Sequence, residues 1–245
     1  MSKSRVLMDD KQKIQGIFNR IAPVYDRMND EFSWGGHRIW KKMALHWSQA
    51  QPGQTGLDLC CGSGDLALLL AQRLGTQGQV SGVDFSAEQL AIAQTRQKPF
   101  TVPLAPISWI EADALDLPFA DNTFDCATMG YGLRNVIDIP LSLQELYRVL
   151  KPGATAAILD LNRPSDVGLR SFQQWYLNTV VVPTAKRFGL REEYAYINPS
   201  LDQFPIGRQQ VALAKTAGFR QATHYAIAGG MMGVLVVTKT VNSQQ

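Results

Sequence analysis

The residue types that can do chemistry in this sequence start with a run of acids and glycines, DLCCGSGD at positions 58–65. Gly62 and Gly64 permit the tight turn and close backbone approach that a bound nucleotide needs. Twenty residues past Gly64 stands Asp84 in GVDFS, where a carboxylate can accept both hydroxyls of a ribose. The spacing Gly62-x-Gly64-x-x-Ala67 satisfies a loose dinucleotide fingerprint, but charge selects against that reading. A pyrophosphate on this loop would face Asp58 and Asp65, whereas a cationic nucleoside would be attracted by them. A further acid, Asp113 in EADALDLPF, is expected to end a third strand facing the adenine amino group, with the Ala114 backbone beside the ring. Asp58, Asp65, Asp84 and Asp113 on successive loops predict a site for S-adenosylmethionine, whose sulfonium and ammonium are both positive.

Few other residues invite chemistry. The cysteines are Cys60, Cys61 and Cys126, the histidines stand at 37, 46 and 224, and no CxxC spacing occurs. No metal site is expected, and the cysteines are read as packing residues of a reduced, cytoplasmic compartment. His37 is the conventional base candidate because an imidazole titrates near neutrality, with a surface role on a basic helix as the alternative. His224 is read as a strand residue.

The elements that must position these residues follow from the apolar periodicity. Strand-like runs at 55–61, 79–85, 107–113, 124–132 and 154–161 alternate with helical runs at 66–74, 87–96 and 139–150. Such alternation implies right-handed βαβ units and a parallel sheet covered on both faces. After a helix at 209–217, runs at 220–228 and 234–240 joined by GGMMG predict an antiparallel hairpin closing the sheet. Residues 1–52 read as a separate helical unit. Ile14, Ile17, Phe18 and Ile21 share one helical face, Pro23 ends that helix, and a second follows SWGG with Ile39, Trp40, Met43 and Trp47 on one side. The expected architecture is a helical lid over 1–52 and an α/β domain over 53–245.

At 245 residues, 45% hydrophobic and 18% charged, the chain can bury a full core. Its net charge of +3 hides an asymmetry: nine basic against five acidic residues in 1–50, four against eleven in 51–145, and eleven against five in 146–245. An acidic middle is a poor footprint for nucleic acid and suits a cationic ligand there, with an anionic surface at the flanks. The charged start MSKSRVLMDDKQK lacks the apolar run of a secretory leader. The uncharged stretches 171–185 and 221–238 are broken by proline or glycines, so neither is expected to span a bilayer.

LDLCCGSGDLA, GVDFS, ADALDLPFADNTFD and RVLKPG resemble the nucleotide-binding blocks of class I S-adenosylmethionine-dependent methyltransferases. IFNRIAPVYDRMND, SWGGHRIWKK and GYGLRNVID resemble, more narrowly, the ubiquinone/menaquinone C-methyltransferase family (UbiE/MenG). The C-terminal YAYINPSLDQFPIGRQQVALAKTAGF and HYAIAGGMMGVLVVTK resemble its cyanobacterial and plant-type branch, which acts on 2-phytyl-1,4-naphthoquinone. The resemblance implies a Rossmann-like, mostly parallel seven-stranded sheet with an antiparallel C-terminal strand and an N-terminal helical lid. It also implies that Ser63, Asp84, Asp113 and Ala114 contact the methyl donor and that Tyr25, beside Asp26, closes over it. Cys60 departs from the glycine or alanine usual at its place.

The implied reaction is C-methylation of a phytyl-bearing naphthoquinol. Because a quinone ring is electron-poor, the reduced quinol or its phenolate is the expected acceptor, and a quinone reductase is the implied partner. Deprotonation of its hydroxyl pushes density onto the ortho carbon, which attacks the sulfonium methyl in line. Arg134 in GLRN is expected to steady the phenolate, with pairing to Asp138 as the structural alternative; it is a poor literal base. Tyr131 and Asn135 flank it as weaker candidates. The run 171–183 and the pair Met231-Met232 are candidate walls of a tail channel, with core packing preferred. The Trp40/Trp47 face with Arg38, Lys41 and Lys42 would either touch an anionic membrane peripherally or pack on the sheet as a lid. The alternatives are a demethylmenaquinone methyltransferase, a nucleic-acid methyltransferase (although no Pro-Pro motif follows the fourth strand) and a dinucleotide-binding oxidoreductase or nucleotide sensor.

Overall fold

Short β-rich runs bounded by turn residues form strands β1 (Thr55–Leu59), β2 (Gln79–Asp84), β3 (Ile107–Glu111), β4 (Phe124–Gly130), β5 (Leu150–Leu161), β6 (Gln221–Ile227) and β7 (Met232–Thr238). The computed structural model describes residues 12, 14–97 and 103–241, so the segment MSKSRVLMDDK lies outside them. The seven strands make one sheet in the order β3-β2-β1-β4-β5-β7-β6. The first five are parallel, and β7 runs antiparallel to both β5 and β6. The mostly parallel sheet with an antiparallel C-terminal strand is therefore as expected.

The central strands are apolar on both sides because helices cover both faces. α4 (Asp65–Leu74), α5 (Ala87–Gln97), α6 (Ile139–Val149) and α11 (Gly207–Thr216) pack there. Leu57, Leu59, Met129, Ile158 and Leu235 belong to the core of one face, while Leu70, Leu74, Val80 and Cys126 belong to that of the other. The chain leaves β1 toward β2 and β3 on one side, then returns to place β4 and β5 on the other. This reversal opens a crevice at the carboxyl ends of β1 and β4.

Helix α1 (residues 14–21), a 3-10 turn (Ala22–Val24), α2 (Tyr25–Ser33) and α3 (Gly36–Trp47) cover the crevice. One expectation needs correction, and one open choice is decided. Ile39 is exposed, and the buried stripe of α3 is His37, Lys41 and Ala44, continued by the capping Ser48. Of the two readings of the Trp40/Trp47 face, packing on the sheet holds: both pack with Ala157, Leu159, Met232 and Val234, and Trp47 stacks on Tyr225 at 4.8 Å.

The cover also has a second part that periodicity did not reveal. Residues 167–203 fold as α7 (Val167–Tyr176), a π-helical turn (Leu177–Val181), α8 (Val182–Lys186), α9 (Arg191–Ala195) and α10 (Ile197–Gln203). Leu177, Val181, Leu190 and Leu201 share one apolar cluster with Ile21 and Met28, so the N-terminal helices and this insertion bury each other. No helix among the described residues is long and apolar enough to cross a membrane.

Candidate active site

Two adjoining cavities lie above the carboxyl ends of the strands. The first is lined by the 58–63 run, Asp84, Asp113, Ala114 and Gly130–Gly132, under Ile14, Phe18, Tyr25 and Lys41 of the cover. The second is roomier, about 450 Å³ against about 80 Å³, and is walled by apolar and aromatic side chains of α1–α3 and 161–197 with Met231 and Met232. Phe18, Tyr25, Tyr131 and Asn135 line both and form the shared wall.

In the first cavity Asp58 is fully buried, and Thr128 Oγ1 donates to its Oδ1 at 2.7 Å. Its Oδ2 has no hydrogen-bond partner. Burial pushes its carboxyl up to about 7, against the opposing pull of the Thr128 hydrogen bond and the Lys41 charge. A buried, half-satisfied carboxylate of this kind matches an ammonium group. Asp84 accepts from the Gly62 N–H at 2.8 Å and the Ser86 N–H at 3.0 Å, and burial raises it to about 6. Each of its oxygens keeps acceptor capacity for a hydroxyl. Strand β3 stops at Glu111, so Asp113 lies two residues past it, and its Oδ1 accepts from the Leu115 N–H at 3.0 Å. Asp58, Asp84 and Asp113, with Gln89 whose buried Oε1 lacks a partner, suit a nucleoside bearing a positive charge.

Not every glycine of the loop faces that cavity, and not every acid on it is free. Gly64 does not line it; its φ is 89°, and a Cβ there would meet the Trp109 ring at 2.8 Å and Ala93 at 3.0 Å. Its lack of a side chain serves packing of the loop on the sheet. Asp65 is already paired: burial opposes its ionisation, but the Lys41 ammonium at 2.5 Å and the Arg96 guanidinium hold it down to about 2. Arg96 also pairs with Asp26 at 2.9 Å, and Ser63 Oγ donates to Asp26 at 2.6 Å. This cluster ties α2 and α3 to the loop, so the acidic middle presents less free charge than its count implied. Cys60 adopts φ 54°, the left-handed region that explains why glycine suits this place.

At the second cavity Arg134 is held by Asp160, not by Asp138. Its backbone N–H donates to Asp160 Oδ2 at 2.9 Å, its Nε lies 3.3 Å from Oδ1, and Nη1 donates to Ser200 Oγ. Asp138 instead caps α6 by accepting from the Leu141 N–H at 3.0 Å. Tyr131 has φ 60° and projects into the shared wall. Burial raises the phenols of Tyr25 and Tyr131 above their ordinary value, so both stay protonated as donors. His37 lines the second cavity, and burial followed by the nearby Lys41 charge lowers its pKa. Ser33 Oγ donates to Asn29 O at 2.7 Å and lies 2.9 Å from His37 Nδ1. The other ring nitrogen, Nε2, lies 3.6 Å from Asp30.

Sequence reasoning missed Lys41, Arg96, Asn29 and the Asp160–Ser200 support of Arg134. Asn29 Nδ2 is a buried donor without a partner on the second cavity. Asp160 did carry a signal, since it stands near the end of its strand as Asp84 does. For Lys41, on an amphipathic helix among other basic residues, no local signal existed. The preference for core packing of 171–183 holds for Leu177 and Val181, whose side chains are buried. Leu177 and Val181 nonetheless line the second cavity together with Phe172, Tyr176, Met231 and Met232, and Met232 is also buried in the core.

The chain is similar to solved structures at the level of fold. It matches a SAM-dependent methyltransferase from Aquifex aeolicus at TM-score 0.59 and 18% identity, covering 82% of this chain and 89% of that one. It also matches the [4+2]-cyclase SpnF at TM-score 0.60 and 16% identity, covering 94% and 97%, so the fold by itself does not fix the reaction. Sequence relatives lie much nearer. A protein of Nostoc sp. named 2-phytyl-1,4-naphtoquinone methyltransferase is 65% identical over 93% of this chain and 99% of its own length. The protein of that name from Synechocystis sp. is 54% identical over 98% and 100%. The Arabidopsis thaliana 2-phytyl-1,4-beta-naphthoquinone methyltransferase, a chloroplastic protein, is 49% identical over 97% and 92%. The model of the ubiE/COQ5 methyltransferase family matches residues 6–239, and the chain belongs to that family.

Proposed function

We propose that this protein methylates a ring carbon of 2-phytyl-1,4-naphthoquinol with S-adenosylmethionine as donor, giving phylloquinone. The observation that carries this reading is the junction of a small acidic cavity with a large apolar one across Tyr25 and Tyr131, in a chain whose relatives bear that substrate's name. When bound, the donor supplies an electrophilic methyl on a sulfonium. Asp58 Oδ2 would hold its ammonium, Asp84 its ribose hydroxyls, and Asp113 with the Ala114 backbone its adenine. Gly62 and Ser63 would shape the loop beneath it.

On the acceptor side, Arg134 fixes a cation at the wall where a phenolate would develop, steadied by Asp160 and Ser200. His37 on the wall of the second cavity is the group able to take the hydroxyl proton at neutral pH. Asn29 Nδ2 offers a hydrogen bond to a ring oxygen. Tyr131 orients the ring from the shared wall. Residues 14–52 act as a lid jointly with α7–α10, excluding water. The reduced acceptor must come from a quinone reductase, and no nucleic acid or metal takes part.

Incubation with methyl-labelled S-adenosylmethionine and 2-phytyl-1,4-naphthoquinone, with and without a chemical reductant, tests the reading. Labelled phylloquinone is expected only, or much faster, under reduction. Methylation of a polyprenyl naphthoquinol but not the phytyl one would move the assignment to demethylmenaquinone.

A further inference from the structure

Helix α7 is turned inside out for a helix in water. Gln173 is buried, its amide donating to the backbone carbonyls of Asn162 at 2.9 Å and Met231 at 3.4 Å. On the outer face Val167 is 73% exposed, Phe172 48% and Trp175 54%. A soluble helix places such residues the other way round.

Across the mouth of the second cavity, the α2–α3 turn does something similar. Trp34 is held at φ 53°, a backbone region costly for a bulky side chain, and its indole is 90% exposed. One turn into α3, Ile39 is 64% exposed. The two elements are joined, because the Tyr176 hydroxyl donates to Phe32 O at 3.1 Å, and Trp34 and Phe172 both line the cavity. The rim is thus aromatic on both sides of an apolar opening. Arg170 is the sole charged residue in 167–179; the exposed Asp166 before it is engaged in capping α7, and the next charged residues after it, Lys186 and Arg187, are basic and exposed. On α3, Lys42 is exposed as well.

We propose that this rim, and not the Trp40/Trp47 face, seats the protein on an anionic lipid bilayer, so that the second cavity opens into the acyl region. Exposed tryptophans and phenylalanine at the rim suit the headgroup boundary, and the flanking lysines and arginines suit anionic headgroups. An acceptor with a long isoprenoid tail would then enter from the bilayer without passing through water. The role of the opening rests on the proposed acceptor; the docking face rests on the exposed residues themselves.

The test uses the full chain and extruded vesicles of phosphatidylglycerol or of phosphatidylcholine, and the variant Ile39→Ser/Val167→Ser/Trp175→Ser, whose positions do not line either cavity. The wild type is expected to co-sediment with phosphatidylglycerol vesicles more than with phosphatidylcholine ones. In the variant, partitioning should fall at least tenfold. Methylation of vesicle-borne phytyl naphthoquinol should fall with it, while methylation of a tail-less naphthoquinol in buffer is unchanged. Equal vesicle binding by the two proteins, or none by the wild type, overturns the proposal. A wild-type dimer that the variant converts to monomer, with no vesicle binding by either, also overturns it and makes the face a contact between copies. Should neither protein methylate the tail-less or the phytyl naphthoquinol while vesicle binding differs as expected, the docking face stands and the acceptor assignment falls.

Discussion

At the residue scale, two groups carry opposite electrostatic conditions. Asp58 is a buried carboxyl whose Oδ2 has no hydrogen-bond partner, whereas Asp65 is an ionised carboxylate already satisfied by Lys41 and Arg96. Sequence alone gave the two acids equal standing, since each is simply an aspartate beside the same loop. His37 is the residue whose role is most directly open to measurement. Its pKa is lowered by burial and by Lys41, so the neutral base persists to a pH below the ordinary imidazole value of about 6.5. With donor and reduced acceptor saturating, kcat of the wild type should decline only as pH falls below that value. His37→Gln should lower kcat by about 10²–10⁴-fold and remove that acidic limb. A variant that retained the limb would take the proton-accepting role away from His37.

At the scale of elements, the strand-turn-helix unit β1–α4 assigns different tasks to two glycines that look alike in sequence. A Cβ on Gly64 would strike Trp109 and Ala93 at a φ of 89°, whereas a Cβ on Gly62 would meet nothing nearer than Gln89 Oε1 at 3.8 Å. Gly64→Ala combines left-handed strain with overpacking and should cost about 2–4 kcal/mol of stability, read as a lowered urea midpoint. Gly62→Ala carries the strain alone, about 1–2 kcal/mol, but should weaken donor binding more than Gly64→Ala does, measured by calorimetry. The alternation of β1–β5 with their helices and the closing hairpin were legible because each depends on a local period. The 167–203 insertion was not, because its helices are short, one is π-helical, and α7 buries a glutamine while exposing aromatics.

For the whole molecule, the covered acidic cavity couples folding, protonation and donor binding. The carboxyls of Asp58 and Asp84 sit at about 7 and about 6 in the folded chain, above an unfolded value of about 3.9. The folded donor-free protein therefore holds protons that the unfolded chain releases. With respect to these groups, its stability falls as pH rises from about 4 to 7 and is flat above. A cationic donor favours ionised Asp58, so its affinity should rise over the pH range in which that carboxyl titrates. At a donor concentration 100 times Kd, the gain is about 2.7 kcal/mol, or a Tm increase of about 5–11 °C for a chain of this size. At fixed donor concentration that increase should be larger at pH 8 than at pH 6, and Asp58→Asn should lose both the pH dependence and most of the increase. A thermal melt with and without S-adenosylmethionine at the two pH values checks this.

The sequence by itself determined the α/β class, the antiparallel closure, the nucleotide-type loop and the acids on its edge. All of these are written in short-range spacing, where a period of two or of 3.6 residues or a glycine at a turn has a direct local cause. Only the tertiary structure decided which charges remain free. Lys41 meets Asp65 and Arg134 meets Asp160 and Ser200 across separations that leave no periodic trace. The same holds for the second cavity, assembled from α1–α3 and the distant 161–197 segment. The outward aromatics of its rim followed from neither propensity nor pattern, because whether a side chain is buried depends on what the rest of the chain brings to cover it.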